Sequence, residues 1–325
     1  LNDRLDKYFA KYLEGYVFLE LMPDYVKREH LDFMRHVPMP VKKEQVGGLT
    51  GDQGIEFKHF TMGMINIIGI NPSFQFVPQY VNFLKYINNN IEKAMVLIGI
   101  EQAKALKLEL ACITLRAALV IAPDNPDALY NYMLVCRNLY LDSDSNSYIT
   151  DFKTEVLESL IKLKEVVPDF DKTYYYLGFA YINAGKYSEA KTEWNKFIRL
   201  SGPCRERLEI RGRLAELEDP IRIEQGYNDV INGNWDEGLE ILETYIDTDK
   251  MDWWPLPYYL GVGYSRTGRY KEALEMLKQA LQGNPSSAEI MAELVIVNNA
   301  LGDEVNAEKY KRKLDILRKD IEQLK

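Results

Sequence analysis

Residues 174–197 read YYYLGFAYINAGKYSEAKTEWNKF, and residues 257–280 read PYYLGVGYSRTGRYKEALEMLKQA. Laid one beneath the other at an offset of 83, Leu177–Gly178 falls on Leu260–Gly261, Tyr181 on Tyr264, Gly185 on Gly268, Tyr187 on Tyr270, and Glu189–Ala190 on Glu272–Ala273. Agreement at a fixed offset is the mark of an internal repeat. Each copy predicts two helices with a turn between them. Gly185 and Gly268 stand where the first helix ends and a left-handed residue is wanted. The glycine of Leu-Gly and the alanine of Glu-Ala carry too little side chain to hold a partner helix away, and the tyrosine between them fills the space they leave. Pro285 lies past the second helix, which it cannot continue.

This pattern resembles the tetratricopeptide repeat (TPR), a unit of about 34 residues with Leu-Gly, Tyr, Ala, Ala and Pro at set places. The resemblance implies an all-α fold: a right-handed TPR-type solenoid of helical hairpins. Carried outward from the two strong units, 171–204 and 254–287, the same grid places further units along the chain. Unit 92–125 holds Gly99, Ala111, Ala118 and Pro123. Unit 126–170 is overlong, with the surplus placed in the Ser/Asp-rich turn Asp142–Asn146. Residues 205–218 are additional and read as a short extra helix. Asp219–Pro220 then reads as a cap and a first-turn proline, opening unit 219–253 with Gly226, Trp235 and Gly238 in register. Unit 288–321 keeps Ala307 and turns rich in Lys, Arg and Glu from Glu308 onward, as suits a terminal helix facing water. The array is thus expected over 92–321, in about six units with insertions near 140–150 and 205–218. Residues 58–91 read as a degenerate first repeat.

Residues 1–57 stand outside the repeat and are expected to form a helical N-terminal segment. Leu5, Tyr8, Phe9, Tyr12, Leu13, Tyr16 and Val17 recur at helical spacing and predict one amphipathic helix. A second helix is expected over Asp24–Val37. Residues 38–57, with two prolines and four glycines, predict a long loop, either a linker or a docking loop. The aromatic stripe needs a cover. Packing on the N-terminal repeats, which also caps the array, is favoured over the groove or another molecule.

The chain has 325 residues and a formal charge of -9, which argues against a duplex nucleic-acid ligand. No apolar run is long enough for a membrane span. Three cysteines at irregular spacings fit neither a disulfide framework nor a zinc knuckle, and point to a reducing, cytoplasmic setting. The first residue, Leu1, is not Met, so a trimmed chain with an anchor or export segment upstream is the alternative.

The three histidines, His30, His36 and His59, all lie in the first fifth of the chain. Asp32 and His36 are spaced to share a metal, but no HExxH motif accompanies them. GGLTGDQG at 47–54 lacks the Gly-Lys-Ser/Thr of a phosphate loop. Cys112 and Cys136 read as small core hydrophobes. No catalytic residue, metal or cofactor is expected, and the chain is not expected to be an enzyme.

The family resemblance directs attention to the first helix of each unit, which lines the concave face and binds protein segments in such proteins. The fifth and ninth positions include Tyr130, Leu134, Tyr175, Phe179, Tyr227 and Tyr258, an apolar, tyrosine-rich stripe with Val96, Ile100, Ile223 and Ile296. Charged residues that would clamp a terminal carboxylate are missing from these positions. Asn131, Arg137, Asn183 and Arg266 are candidates for fixing a peptide backbone. The expected function is a non-catalytic TPR scaffold that binds a protein or peptide partner in this groove. The alternative is a regulatory or substrate-recruiting part of a larger enzyme.

Overall fold

The structure, a computed structural model, describes residues 3–28, 31–47, 55–143, 145–285 and 287–323. His30 and all but the first residue of the glycine-rich stretch 47–54 lie outside them. The N-terminal segment is built from short pieces: α1 (Asp6–Phe9), a 3-10 stretch over Ala10–Gly15, β1 (Tyr16–Leu19), α2 (Pro23–Arg28), a 3-10 turn over Asp32–Met34, β2 (Met39–Lys42) and α3 (Lys43–Gly47). The strands pair antiparallel, with Tyr16 opposite Lys42 and Leu19 opposite Met39.

This differs from the two helices expected there. The apolar stripe from Leu5 to Val17 is not one helix. Its first half buries Leu5 and Phe9, but after Gly15 the run Tyr-Val-Phe-Leu has the aromatic and β-branched side chains that fit a pleated strand. The helix expected to reach Val37 is broken by the 3-10 turn and by His36, whose φ of 60° no helix accepts. Part of the expected loop 38–57 is ordered as β2 and α3.

Helices account for the rest: α4 (Phe57–Ile70), α5 (Val77–Ile87), α6 (Ile91–Lys104), α7 (Leu108–Ile121), α8 (Pro126–Leu141), α9 (Asn146–Val166), α10 (Asp171–Asn183), α11 (Tyr187–Leu200), α12 (Arg205–Ala215), α13 (Glu218–Ile231), α14 (Trp235–Leu242), α15 (Pro255–Arg266), α16 (Tyr270–Gly283), α17 (Ala288–Ala300) and α18 (Glu304–Gln323). The fold is essentially an all-α helical repeat. Its hairpins include α6–α7, α8–α9, α13–α14, α15–α16 and α17–α18, each packing closely.

Their geometry follows from the small residues. A Cβ on Gly178 would stand 2.0 Å from the indole Nε1 of Trp194, and one on Gly261 2.7 Å from Leu277. Gly99 meets Leu115 and Gly226 meets Leu242 in the same way. In each case the glycine of the first helix receives the large side chain sixteen residues later on the second. Ala111, Ala190 and Ala273 are fully buried. The turns are as regular. Gly185 has φ 70° and Gly268 φ 81°, and the amides of Lys186 and Arg269 bond back to the carbonyls of Tyr181 (2.9 Å) and Tyr264 (2.8 Å), closing the first helix in a Schellman turn. First helices start on side-chain caps at two places: Asn125 accepts from the Ala128 amide at 2.9 Å and Ser287 from the Ile290 amide at 3.2 Å.

The surplus in 126–170 lengthens the helices rather than the turn. Helix α8 has 16 residues and α9 has 21, against 14 in α6 and in α7. Residues 205–215 form α12. Helix α13 starts one residue before Asp219, which accepts a bond from the Tyr245 hydroxyl at 3.2 Å instead of capping the helix.

The chain divides into two compact units, one of residues 1–180 and 193–202 and the other of 181–192 and 203–325. In the first unit the N-terminal segment lies against α7 and α9, the second helices of their hairpins. Phe9 meets Phe152 edge-on at 6.4 Å, the Tyr8 hydroxyl donates to Asp151 at 2.7 Å, and Arg4 pairs with Glu155 and Glu158 at 2.8 and 2.9 Å. The buried Arg116 of α7 holds Asp6 at 2.5 Å and the Gly69 carbonyl at 3.0 Å. Helix α4 rests on α7, where a Cβ on Gly69 would fall 1.9 Å from the Ile113 carbonyl oxygen. In the second unit Leu239, Leu242, Leu256, Leu260, Leu277 and Leu294 form the centre of a continuous apolar core.

Candidate functional site

The stripe residues stand on first helices, because repeat register sets which side of each helix turns from its own hairpin partner. They fall into two sets, one in each unit.

In the first unit Tyr130, Asn131 and Leu134 lie on α8, and Tyr175 and Phe179 on α10, all half-buried. The Tyr130 ring meets Phe170 edge-on at 5.1 Å and Tyr176 at 6.2 Å. Arg137, one turn further along α8, sets its guanidinium 5.9 Å from the centre of the Tyr176 ring. Tyr175 and Phe179 are turned more inward than the stripe implied. Tyr175 packs on Phe197 at 5.4 Å, and Phe179 on Trp194 at 5.1 Å, so much of their area holds this repeat together. Asn131 donates to the Asp127 carbonyl within its own helix at 2.8 Å.

In the second unit Tyr227 of α13 stacks on Tyr259 of α15 at 3.8 Å, and Tyr258 meets Tyr259 at 5.3 Å. Burial first of all, and then the nearby carboxylates of Glu293 and Glu289, push the Tyr258 hydroxyl up to about 12. Tyr259 is raised mainly by burial as well. Both phenols therefore remain protonated donors at neutral pH. Arg266 is not a spare cation: it forms a two-pronged pair with Glu293 of α17 at 3.0 and 2.6 Å. Asn183 is exposed at the end of α10. Val96 and Ile223 are buried and present no surface.

Tyr176 and Tyr259 were missed by the fifth-and-ninth reading. They occupy the sixth position of units 171–204 and 254–287, and each rests on an aromatic of the preceding first helix. The recurrence of tyrosine after Tyr175 and again after Tyr258 was the available signal.

The family model for the tetratricopeptide repeat matches residues 172–200, the hairpin in which Gly178 seats Trp194. Residues 172–200 are thus a tetratricopeptide repeat. No curated protein matches the sequence at a significant level. Among solved structures, the TPR domain of P58(IPK) is similar at 20% identity and a TM-score of 0.45, over 70% of this chain. The chain spans 61% of that domain's length. A TPR protein from Parabacteroides merdae is similar at 17% identity and a TM-score of 0.35, covering 78% of this chain and 94% of that one. For pilF of Pseudomonas aeruginosa the figures are 14%, 0.35, 72% and 97%. Likeness at this level transfers no ligand or partner to this chain.

Among the described residues no group of three or more His, Cys, Asp or Glu side chains could hold a metal ion. No described helix is long and apolar enough to cross a membrane. Cys112 and Cys136 are both fully buried, with their sulfurs 3.8 Å apart. Burial above all pushes the Cys136 thiol up, away from a reactive thiolate.

Proposed function

We propose that this chain is a non-catalytic TPR scaffold whose tyrosine-lined first helices capture a protein segment. The observation that carries the reading is the pairing of half-exposed rings between successive first helices, Tyr130 with Tyr176 in one unit and Tyr227 with Tyr259 in the other. Such rings present a large, rigid, apolar body at low entropic cost. Preformed surfaces of this kind suit binding without any strained catalytic geometry. The preferred partner carries apolar or aromatic anchors, since the fifth and ninth positions of the first helices hold no charged residue that would clamp a terminal carboxylate.

Within the N-terminal segment Tyr8, Phe9 and Tyr12 are spent on α7 and α9 and not on the proposed binding faces. The test is affinity capture from native lysate with the wild type, with Tyr130→Ala/Tyr176→Ala and with Tyr227→Ala. At least one variant is expected to lose about tenfold in capture of a specific partner while keeping wild-type circular dichroism. Undiminished capture by all folded variants overturns the assignment. Tyr175→Ala and Phe179→Ala are poorer probes, because they also remove packing on Phe197 and Trp194.

A further inference from the structure

The N-terminal segment does more than cover α7 and α9. Where its 3-10 stretch, β2 and α3 approach α4 and α7, they line a half-open cavity of about 370 Å³, within the range of about 300–1,000 Å³ typical of small-molecule sites. Its apolar wall comes from Ile70, Leu110 and Ile113, and Lys42 and Lys43 stand on its border. The polar lining comprises Tyr12, Tyr16, Glu44 and Asn66 of α4, the last 6% exposed. Its amide nitrogen donates to the Tyr16 hydroxyl at 2.7 Å. Its carbonyl Oδ1 is buried and has no hydrogen-bond partner. A buried acceptor left without a donor costs about 1–3 kcal/mol, and such groups are rare unless something else supplies the donor. The border carries two lysines and one glutamate: Lys42 lies 3.6 Å from Glu44, and Lys43 has no ion pair among the described residues, which leaves one net positive charge there.

We propose that this cavity binds a small amphiphilic monocarboxylate bearing a hydroxyl on its apolar body. The carboxylate sits at Lys42 and Lys43, the body lies along Ile70, Leu110 and Ile113, and the hydroxyl donates to Asn66 Oδ1. A simple fatty acid fills the apolar wall and meets the lysines but leaves Asn66 unsatisfied. A diol satisfies Asn66 and forgoes the charge. The site lies on the N-terminal segment and does not depend on the tyrosine surfaces.

The probes are 10-hydroxydecanoate, decanoate and 1,10-decanediol, titrated into the full chain by calorimetry, with methyl NMR shifts of Ile70 and Ile113 as the positional readout. The expected result is saturable binding of 10-hydroxydecanoate, with both methyls shifted and with about tenfold weaker binding of the other two probes. Lys42→Ser/Lys43→Ser is expected to weaken the two carboxylates and leave the diol unchanged. Leu110→Trp fills the cavity and is expected to abolish binding. Should that variant not fold, Gly15→Leu replaces it, because a Cβ on this bordering glycine meets no heavy atom within 4 Å. Absence of saturable binding, equal affinity for decanoate and its hydroxy form, or binding that survives the filling variant in its folded form overturns the proposal.

Discussion

Leu106 shows how closely single positions are tied to the repeat. It follows α6 at the place that Gly185 and Gly268 hold after α10 and α15, and it adopts the same left-handed backbone, with φ 58°. The Lys107 amide bonds to the Gln102 carbonyl at 2.9 Å, so the Schellman closure forms regardless of residue type. The Leu106 side chain is 84% exposed and recovers little by burial. A branched residue in this region carries strain of about 1–3 kcal/mol, partly offset in a glycine variant by the greater freedom of the unfolded chain. Leu106→Gly is therefore expected to stabilise the protein by about 1 kcal/mol, read as a rise in the denaturant midpoint at unchanged slope. Gly178 presents the reverse case. Its missing side chain is the space occupied by the Trp194 indole, which is 1% exposed and donates to the Tyr175 carbonyl at 3.1 Å. Gly178→Ala is expected to destabilise by about 1–3 kcal/mol, the usual cost of overpacking. A Tyr187–Leu200 hairpin helix unmoved and a midpoint unchanged in that variant would show that the ring shifts freely.

At the scale of elements, the hairpins were legible because the sequence states the contact directly: a glycine, then a glycine or its equivalent at the turn, then a large residue sixteen positions after the first glycine. The front end was not. Its apolar residues recur at helical spacing through Val17, yet Leu5 and Phe9 are buried from a single helical turn and Tyr16 from a strand that leaves Phe18 exposed. The covering surface decides the conformation there, and that surface comes from α7 and α9, about a hundred and more residues away in sequence. The candidate site was half legible for the same reason. Register placed Tyr130, Tyr227 and Tyr258 on first helices, while the ring partners Tyr176 and Tyr259 are contacts between successive repeats, which position within one repeat does not state. The same long-range dependence makes the N-terminal segment testable as an element. Arg116 is 1% exposed, and Asp6 is its carboxylate partner. Removing the partner of a buried cation costs about 3–5 kcal/mol, and Asp6, one-quarter exposed, belongs at the low end. Asp6→Ala is expected to lose about 3 kcal/mol and to raise hydrogen exchange first in the N-terminal segment. Exchange rising equally everywhere would mean that the segment and the repeats behind it unfold as one.

For the whole molecule, the twenty-two tyrosines tie the fold to pH. Burial first, then the neighbouring Glu109, raises Tyr12 from 10.0 to about 12. Burial first, then Glu293, does the same for Tyr258, and burial first, then Glu243, for Tyr264. Tyr80, Tyr148 and Tyr259 are raised still further by burial. These residues are spread over both units: Tyr12 hydrogen-bonds Glu109 under the N-terminal segment, and Tyr258 and Tyr264 stand on α15. In the unfolded chain the phenols ionise near pH 10, whereas in the fold they keep their protons to about pH 12, so across that window the native state binds more protons than the unfolded state. The contribution to stability is complete below pH 10 and is lost as pH rises toward 12. The expected outcome of an alkaline titration is that helicity, followed by circular dichroism, and the bulk of the tyrosinate absorbance change together, well above the ordinary phenol range. Tyr12→Phe removes one such phenol and is expected to lessen the alkaline loss in the first unit. Tyrosinate appearing reversibly near pH 10 for nearly all residues, with helicity intact, would mean that the rings are far more open to water than their packing indicates, and the paired-ring surfaces proposed for partner capture would lose their physical basis.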